Sequence, residues 1–342
     1  MIRKPPMVRP STRRLARAEV ASLLLALLAW SACAPSALRH AGPSGDPGAI
    51  TPLAGAAEAV SLLGDTLVPP ALPNDVRTEY LARYREAEEA LARDPDDAEA
   101  LIWMGRRTAY LGRYRSAIDI YTRALTLHPD DARLYRHRGH RYVSIRELDH
   151  AIADLRRAAE LTAGQPDEVE PDGLPNALGI PTSTLQFNIW YHLGLAYYLK
   201  GEFEAAADAY AACARVSVHP DSKVATAYWR TMTLKRLGRF EEARSVLAGI
   251  TPDMEVIESG GYLDLLLLHK GERSPEDLIG PAGAQATLAS TTTGYGVGAW
   301  YLLEGDADTA RSVFERVLSG ASQWAAFGYI AAEAELARMS GA

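Results

Sequence analysis

The sequence predicts an all-α fold, a right-handed solenoid of antiparallel helix pairs. Two observations carry that prediction. In Asn188–Val218, Trp190, Leu193, Gly194 and Tyr197 fall at i, i+3, i+4 and i+7 on one helix face. After Lys200-Gly201-Glu202 the pattern resumes with Phe203, Ala206, Tyr210 and Cys213, so the stretch is a helical hairpin with an apolar seam. The second observation is repetition. Ala98–Asp131 carries Gly105, Gly112, Tyr114, Ala117, Tyr121 and Ala124 at one constant offset from Gly194, Gly201, Phe203, Ala206, Tyr210 and Cys213. Ala132–Gln165 repeats the pattern 34 residues on, with Gly139, Tyr142, Leu148, Ala151, Leu155 and Ala158. One such hairpin cannot bury its own faces, and stacked copies can.

The chain has 342 residues, 48% hydrophobic and 23% charged, an ordinary globular composition. Residues 1–33 differ from the rest. Arg3, Lys4, Arg9, Arg13, Arg14 and Arg17 precede an apolar run, Val20–Trp30. That run is shorter than the roughly 17–25 residues a membrane-spanning helix needs, and it suits a secretory signal. Ser31-Ala32-Cys33 then resembles the lipobox of bacterial lipoproteins, with Trp30 where that pattern usually has Leu. The resemblance implies lipidation of Cys33 and a membrane-anchored protein of the cell envelope, on the periplasmic side of the outer membrane. A secreted or a cytoplasmic protein is the alternative. Removing residues 1–32 takes six basic residues and Glu19 from a net charge of −7 and leaves −12, a poor balance for binding nucleic acid.

Residues 34–74, rich in Pro, Gly, Ala and Ser, read as a flexible linker with a short helix over Ala56–Leu63. The repeat domain is expected over 75–342. Asp75–Arg93 is a helix with Tyr80, Tyr84, Ala87 and Leu91 on one face and Asp75 as its cap. The clear repeats are 98–131, 132–165 and 187–220. An acidic, Pro-rich insertion, 163–186, interrupts them, and Ser183 or Thr184 caps the helix that follows. Degenerate copies cover 224–250, 257–280 and 291–322, and 323–338 is expected to be a capping helix over the end of the array.

The period of 34, the small-aromatic-small spacing and the Pro after the second helix resemble the tetratricopeptide repeat over about residues 75–340. The resemblance implies that first helices line a concave groove. It assigns to that groove Arg106 and Tyr110 in the first full repeat, Arg133, Arg136 and His140 in the second, and Asn188, Tyr191 and Tyr198 in the third. These basic and aromatic residues suit a protein or acidic peptide whose carboxylates meet guanidinium forks. The acidic stretch Asp167–Asp172 directly follows the Arg-rich repeat and is a candidate pseudo-ligand for the same groove.

The chemistry of an enzyme is not legible. The sequence has no G-x-S-x-G elbow, no P-loop and no H-E-x-x-H. His137 and His140 give H-x-x-H, but Arg136, Arg138 and Arg141 beside them disfavour a metal cation. Cys213 matches the packed Ala124 and reads as a core residue. The expected function is a non-catalytic interaction scaffold without cofactor, metal or small-molecule substrate. The alternatives are an accessory or regulatory subunit of an envelope enzyme complex, or a soluble cytoplasmic adaptor.

Overall fold

Fourteen α-helices and one two-stranded hairpin form the described residues, 56–280 and 286–341, of the computed structural model. Helix α1 (Asn74–Arg93) precedes six helix pairs. These are α2 (Ala98–Tyr110) with α3 (Tyr114–Leu127), α4 (Ala132–Ser144) with α5 (Leu148–Thr162), and α6 (Leu185–Lys200) with α7 (Phe203–Val216). They continue with α8 (Pro220–Arg236) and α9 (Phe240–Ala248), α10 (Gly260–His269) and α11 (Pro275–Leu278), and α12 (Leu288–Leu303) and α13 (Ala307–Leu318). Helix α14 (Phe327–Met339) follows them as the last helix. The fold is the expected all-α solenoid of the tetratricopeptide type. The predicted signal peptide and Cys33 lie outside the described residues.

Local chemistry explains the helix ends. Asp97 accepts the Ala100 N–H at 2.7 Å, and Asp131 accepts the Arg133 N–H at 2.9 Å, each satisfying an orphan donor of a first turn. Of the two candidate caps for α6, Thr184 makes the bond, to the Phe187 N–H. Helix α1 starts one residue earlier than expected, at Asn74, and Asp75 does not cap it, because Pro73 takes the N-cap position. Gly201 closes α6 in the left-handed conformation, φ 83°, which a Cβ would disfavour.

The seam within each pair rests on a small residue facing a large one. A Cβ on Gly194 would stand 2.7 Å from the Tyr210 ring, and one on Gly105 would stand 2.4 Å from Tyr121. Both tyrosines are fully buried. The glycines therefore give the second helix room to seat its aromatic ring, which offsets their helix-propensity cost of about 1 kcal/mol. Cys213 sits at the base of the same seam as a buried core residue. Burial pushes its thiol up to about 12, beside Thr226 Oγ1 at 3.2 Å.

Two expectations need correction. The stretch Ala56–Leu63 is not a helix. Ala59–Val60 (β1) pairs antiparallel with Thr66–Leu67 (β2), and Ala59 and Leu67 are buried with Ile118, Ile145, Trp324 and Tyr329. The end of the expected linker is thus part of the folded unit.

The second correction concerns the last helix, which packs on α12 and α13 as a cap would but does more than cover the end of the array. All nine residues from Gly328 to Leu336 are buried, a pattern that places protein on every side of the helix. Phe327 packs against His140 of α4 and Tyr191 and His192 of α6. Glu333 pairs with Arg146 after α4, and Glu335 pairs with Arg236 at the end of α8. Arg338 donates to the Leu199 carbonyl of α6 at 2.9 Å. Helix α14 thus joins the last pair, α12 and α13, to α4, α6 and α8 on the inward side.

Candidate functional site

The predicted groove residues divide into two groups. Asn188, Tyr191 and Tyr198 are buried in the interior. Asn188 donates to Ser183 Oγ at 3.0 Å and braces the insertion. Tyr191 Oη accepts from Trp229 Nε1 at 2.9 Å and lies 3.1 Å from Tyr262 Oη. Tyr198 Oη accepts from Tyr295 at 2.9 Å. The expectation of an open aromatic surface is overturned, because α12 and α14 cover this part of the groove. What stays open is a cleft of about 640 Å³ that His140 and Tyr191 border together with Glu258, Tyr262, Thr292 and Phe327.

Arg106, Tyr110 and Arg136 come together on the inward faces of α2 and α4. Two residues that sequence reasoning missed, Arg83 of α1 and Arg107 of α2, join them. The insertion between α5 and α6 lies on this cluster. Glu170 Oε2 is 2.8 Å from Arg136 Nε, and both side chains are about nine-tenths buried. The Gly173 carbonyl accepts from Arg107 at 2.7 Å and from Arg83 at 3.3 Å. A Cβ on Gly173 would fall 1.7 Å from Tyr110 Oη and 2.7 Å from Arg106 Nη2, so any side chain here displaces those two side-chain ends.

The guanidinium groups are themselves held in place. Those of Arg106 and Arg107 sit 4.4 and 4.6 Å from the Trp103 ring centroid, within cation–π range. Burial lowers the pKa of Arg136, with Glu170 opposing the shift and Arg106 adding to it. Burial likewise lowers Arg107, and Arg83 and Arg106 add to that. Arg106 and Arg136 are buried, whereas Arg83 and Arg107 are half-buried and Arg83 also pairs with Glu79. The guanidinium groups repel one another, and an anion relieves that repulsion.

Arg133 does not join the cluster. Its side chain is 40% exposed and paired with Asp131 and Glu99, an ordinary surface ion network. His140 is half-buried, with its ring 4.3 Å from that of His192. Arg136 Nη1 lies 3.1 Å from His137 Nδ1 and 3.4 Å from His140 Nδ1. Burial, reinforced by Arg136 and Arg141, holds His137, His140 and His192 well below the ordinary imidazole range. Among the described residues no group of three His, Cys, Asp or Glu is placed to hold a metal ion.

Comparison with known proteins fits this fold. Residues 187–217, the α6–α7 pair, match the family model of the tetratricopeptide repeat. A stretch of 93 residues is 32% identical to human tetratricopeptide repeat protein 13. It covers 27% of this chain and spans about a tenth (11%) of that protein's length. Among solved structures, a tetratricopeptide repeat protein from Parabacteroides merdae aligns at 14% identity and a TM-score of 0.44, over 74% of this chain and 93% of its own. YrrB, described as a TPR protein with an unusual peptide-binding site, aligns at 14% identity and a TM-score of 0.39, over 68% of this chain and 91% of its own. MamA aligns at 18% identity and a TM-score of 0.39, over 58% of this chain and 89% of its own.

Proposed function

We propose that the chain is a non-catalytic interaction scaffold, held at a membrane of the cell envelope by lipid on Cys33. It takes an acidic segment of a partner protein on the arginine cluster of α1, α2 and α4. One observation carries this reading: the cluster of Arg83, Arg106, Arg107 and Arg136 already holds a carboxylate and a backbone carbonyl, those of Glu170 and Gly173. Those are the two groups that any acidic peptide presents. Exposed ion pairs contribute only about 0.2–1 kcal/mol each. Here Arg106 and Arg136 are buried, and hydrogen bonds assisted by a charge are roughly twice as strong as neutral ones.

Crosslinking in intact cells, followed by affinity capture and peptide identification, tests the scaffold. The expected result is a captured protein whose crosslinks map to α1, α2 and α4 and disappear in the Arg107→Glu chain. Crosslinks that persist in that variant would remove the cluster from the reading. Anchoring is tested separately by fractionating the Cys33→Ala chain, which is expected to leave the membrane fraction. A variant that stays with the membranes counts against lipidation.

A further inference from the structure

The insertion and α14 both occupy the inward side of the array, and they are held very differently. Helix α14 is buried over nine consecutive residues. From Ala163 to Ser183 the insertion buries only Glu170, Gly173 and Thr182, the last donating to Glu258 at 2.5 Å. It leaves Val169, Leu174, Leu178 and Ile180 exposed, each by at least 44%. Its base is clasped on itself: the Leu185 N–H donates to Glu168 O at 2.8 Å, and Thr184 Oγ1 donates to Asp167 Oδ2 at 2.6 Å. Beyond that clasp the chain doubles back onto α1, α2 and α4. Its two buried contacts there are a carboxylate on Arg136 and a carbonyl shared by Arg83 and Arg107.

We propose that Glu170-Pro171-Asp172-Gly173 is a displaceable internal ligand, and that the partner carries the same chemistry, an extended acidic segment with glutamate three residues before glycine. The inference rests on the scaffold reading above and names the recognition feature of its partner. The spacing matters because Gly173 lies where a Cβ would displace the Tyr110 and Arg106 side-chain ends, while Glu170 must reach Arg136. Any peptide seated the same way meets both constraints. The tethered loop acts at an effective concentration on the order of millimolar. A free segment with an intrinsic affinity of about 100 μM is therefore held off about tenfold until its own affinity or valency overcomes the loop.

The probe is a fluorescein-labelled peptide of residues 167–175, titrated by anisotropy against the full chain. It is titrated in parallel against the full chain with residues 166–176 replaced by Gly/Ser of equal length. The expected result is at least tenfold tighter binding by the replaced chain, lost when Arg136→Gln is added. Changing the peptide's glycine to alanine is expected to weaken binding as well. If the replaced chain does not fold by circular dichroism, Gly173→Ala in the otherwise unaltered chain dislodges the loop instead. Equal binding by the two chains overturns the proposal, as does no binding by either folded chain. Equal binding of the alanine peptide overturns the glycine requirement. Failure here leaves partner capture in cells untouched, and failure of that capture leaves the peptide titration readable, so the two readings fall separately.

Discussion

Arg146 and Glu333 form a two-pronged ion pair between the α4–α5 turn and the middle of α14. Arg146 Nη2 lies 2.7 Å from Oε1 and Nε lies 3.0 Å from Oε2, with the side chains 3% and 1% exposed. Arg146 also donates to the Ser144 and Trp324 carbonyls. It has φ 66° at the turn position where the neighbouring repeats have Gly112 and Gly201. A non-glycine residue held there costs about 1–2 kcal/mol. The turn thus gives up backbone ease to place a guanidinium where the last helix needs one.

Replacing Arg146 by Ala strands a buried carboxylate and is expected to cost about 3–5 kcal/mol. Arg146→Gly is expected to lose about 1 kcal/mol less, because glycine relieves the left-handed backbone. Urea unfolding of the two variants checks the difference. A glycine variant no more stable than the alanine one would show that the turn is unstrained.

Gly194→Ala is expected to cost about 1–3 kcal/mol, as overpacking forces the Tyr210 ring or α7 to shift. Gly260, where an added Cβ meets nothing within 4 Å, is the control and is expected to tolerate alanine. Comparable denaturation midpoints for both variants would remove close packing as the reason for Gly194.

Acid is expected to destabilise the fold before it titrates the carboxylates. His137, His140 and His192 have folded-state pKa values well below the ordinary 6.5 because of burial and then their arginine neighbours. Below about pH 6.5 the unfolded chain takes up protons that the folded chain refuses. The stabilisation is therefore complete above that pH and falls as pH drops toward the depressed folded values. Each of these histidines contributes a slope of up to about 1.4 kcal/mol per pH unit. Urea midpoints at pH 7.5, 6.0 and 5.0 measure the slope, which His140→Gln is expected to reduce. A midpoint independent of pH over this range would contradict the assignment.

Ending the chain after Ala326 deletes α14 and leaves Arg146 and Arg236 without their buried carboxylates. The truncated protein is expected to bind a hydrophobic dye such as ANS and to melt without a sharp transition. A cooperative melt with no dye binding would mean that α14 is dispensable to the core.

The helix pairs were legible because they are local. Gly105, Gly194, Tyr121 and Tyr210 recur at fixed spacing, and the seam follows from helix geometry. Thr184 announced the start of α6 by its chemistry, whereas Asp75 did not cap α1. The place of α14 was not legible as a boundary signal, because its partners are far away in sequence. It did leave a trace. Ile330, Ala331, Ala332, Ala334 and Leu336 surround the helix with small and apolar groups, the composition of a helix buried all round. The arginine cluster was half legible. Arg106 and Arg136 fall at groove positions of the repeat, whereas Arg83 and Arg107 reach the site only because the insertion folds back to meet them. Nothing in periodicity specifies that return. The acids of Asp167–Asp172 pointed to it by charge alone.

Helix α14 is made well after α4, α6 and α8, against which it packs. Glu333 follows Arg146 by 187 residues, an interval of about 10–40 s at ordinary rates of synthesis. Until then Arg146 and Arg236 lack the buried carboxylates that pair with them. Closure is thereby tied to the synthesis of α14. A product cut short by a stalled ribosome before Glu333 carries two guanidinium groups without their buried carboxylates, a mark open to chaperones and proteases.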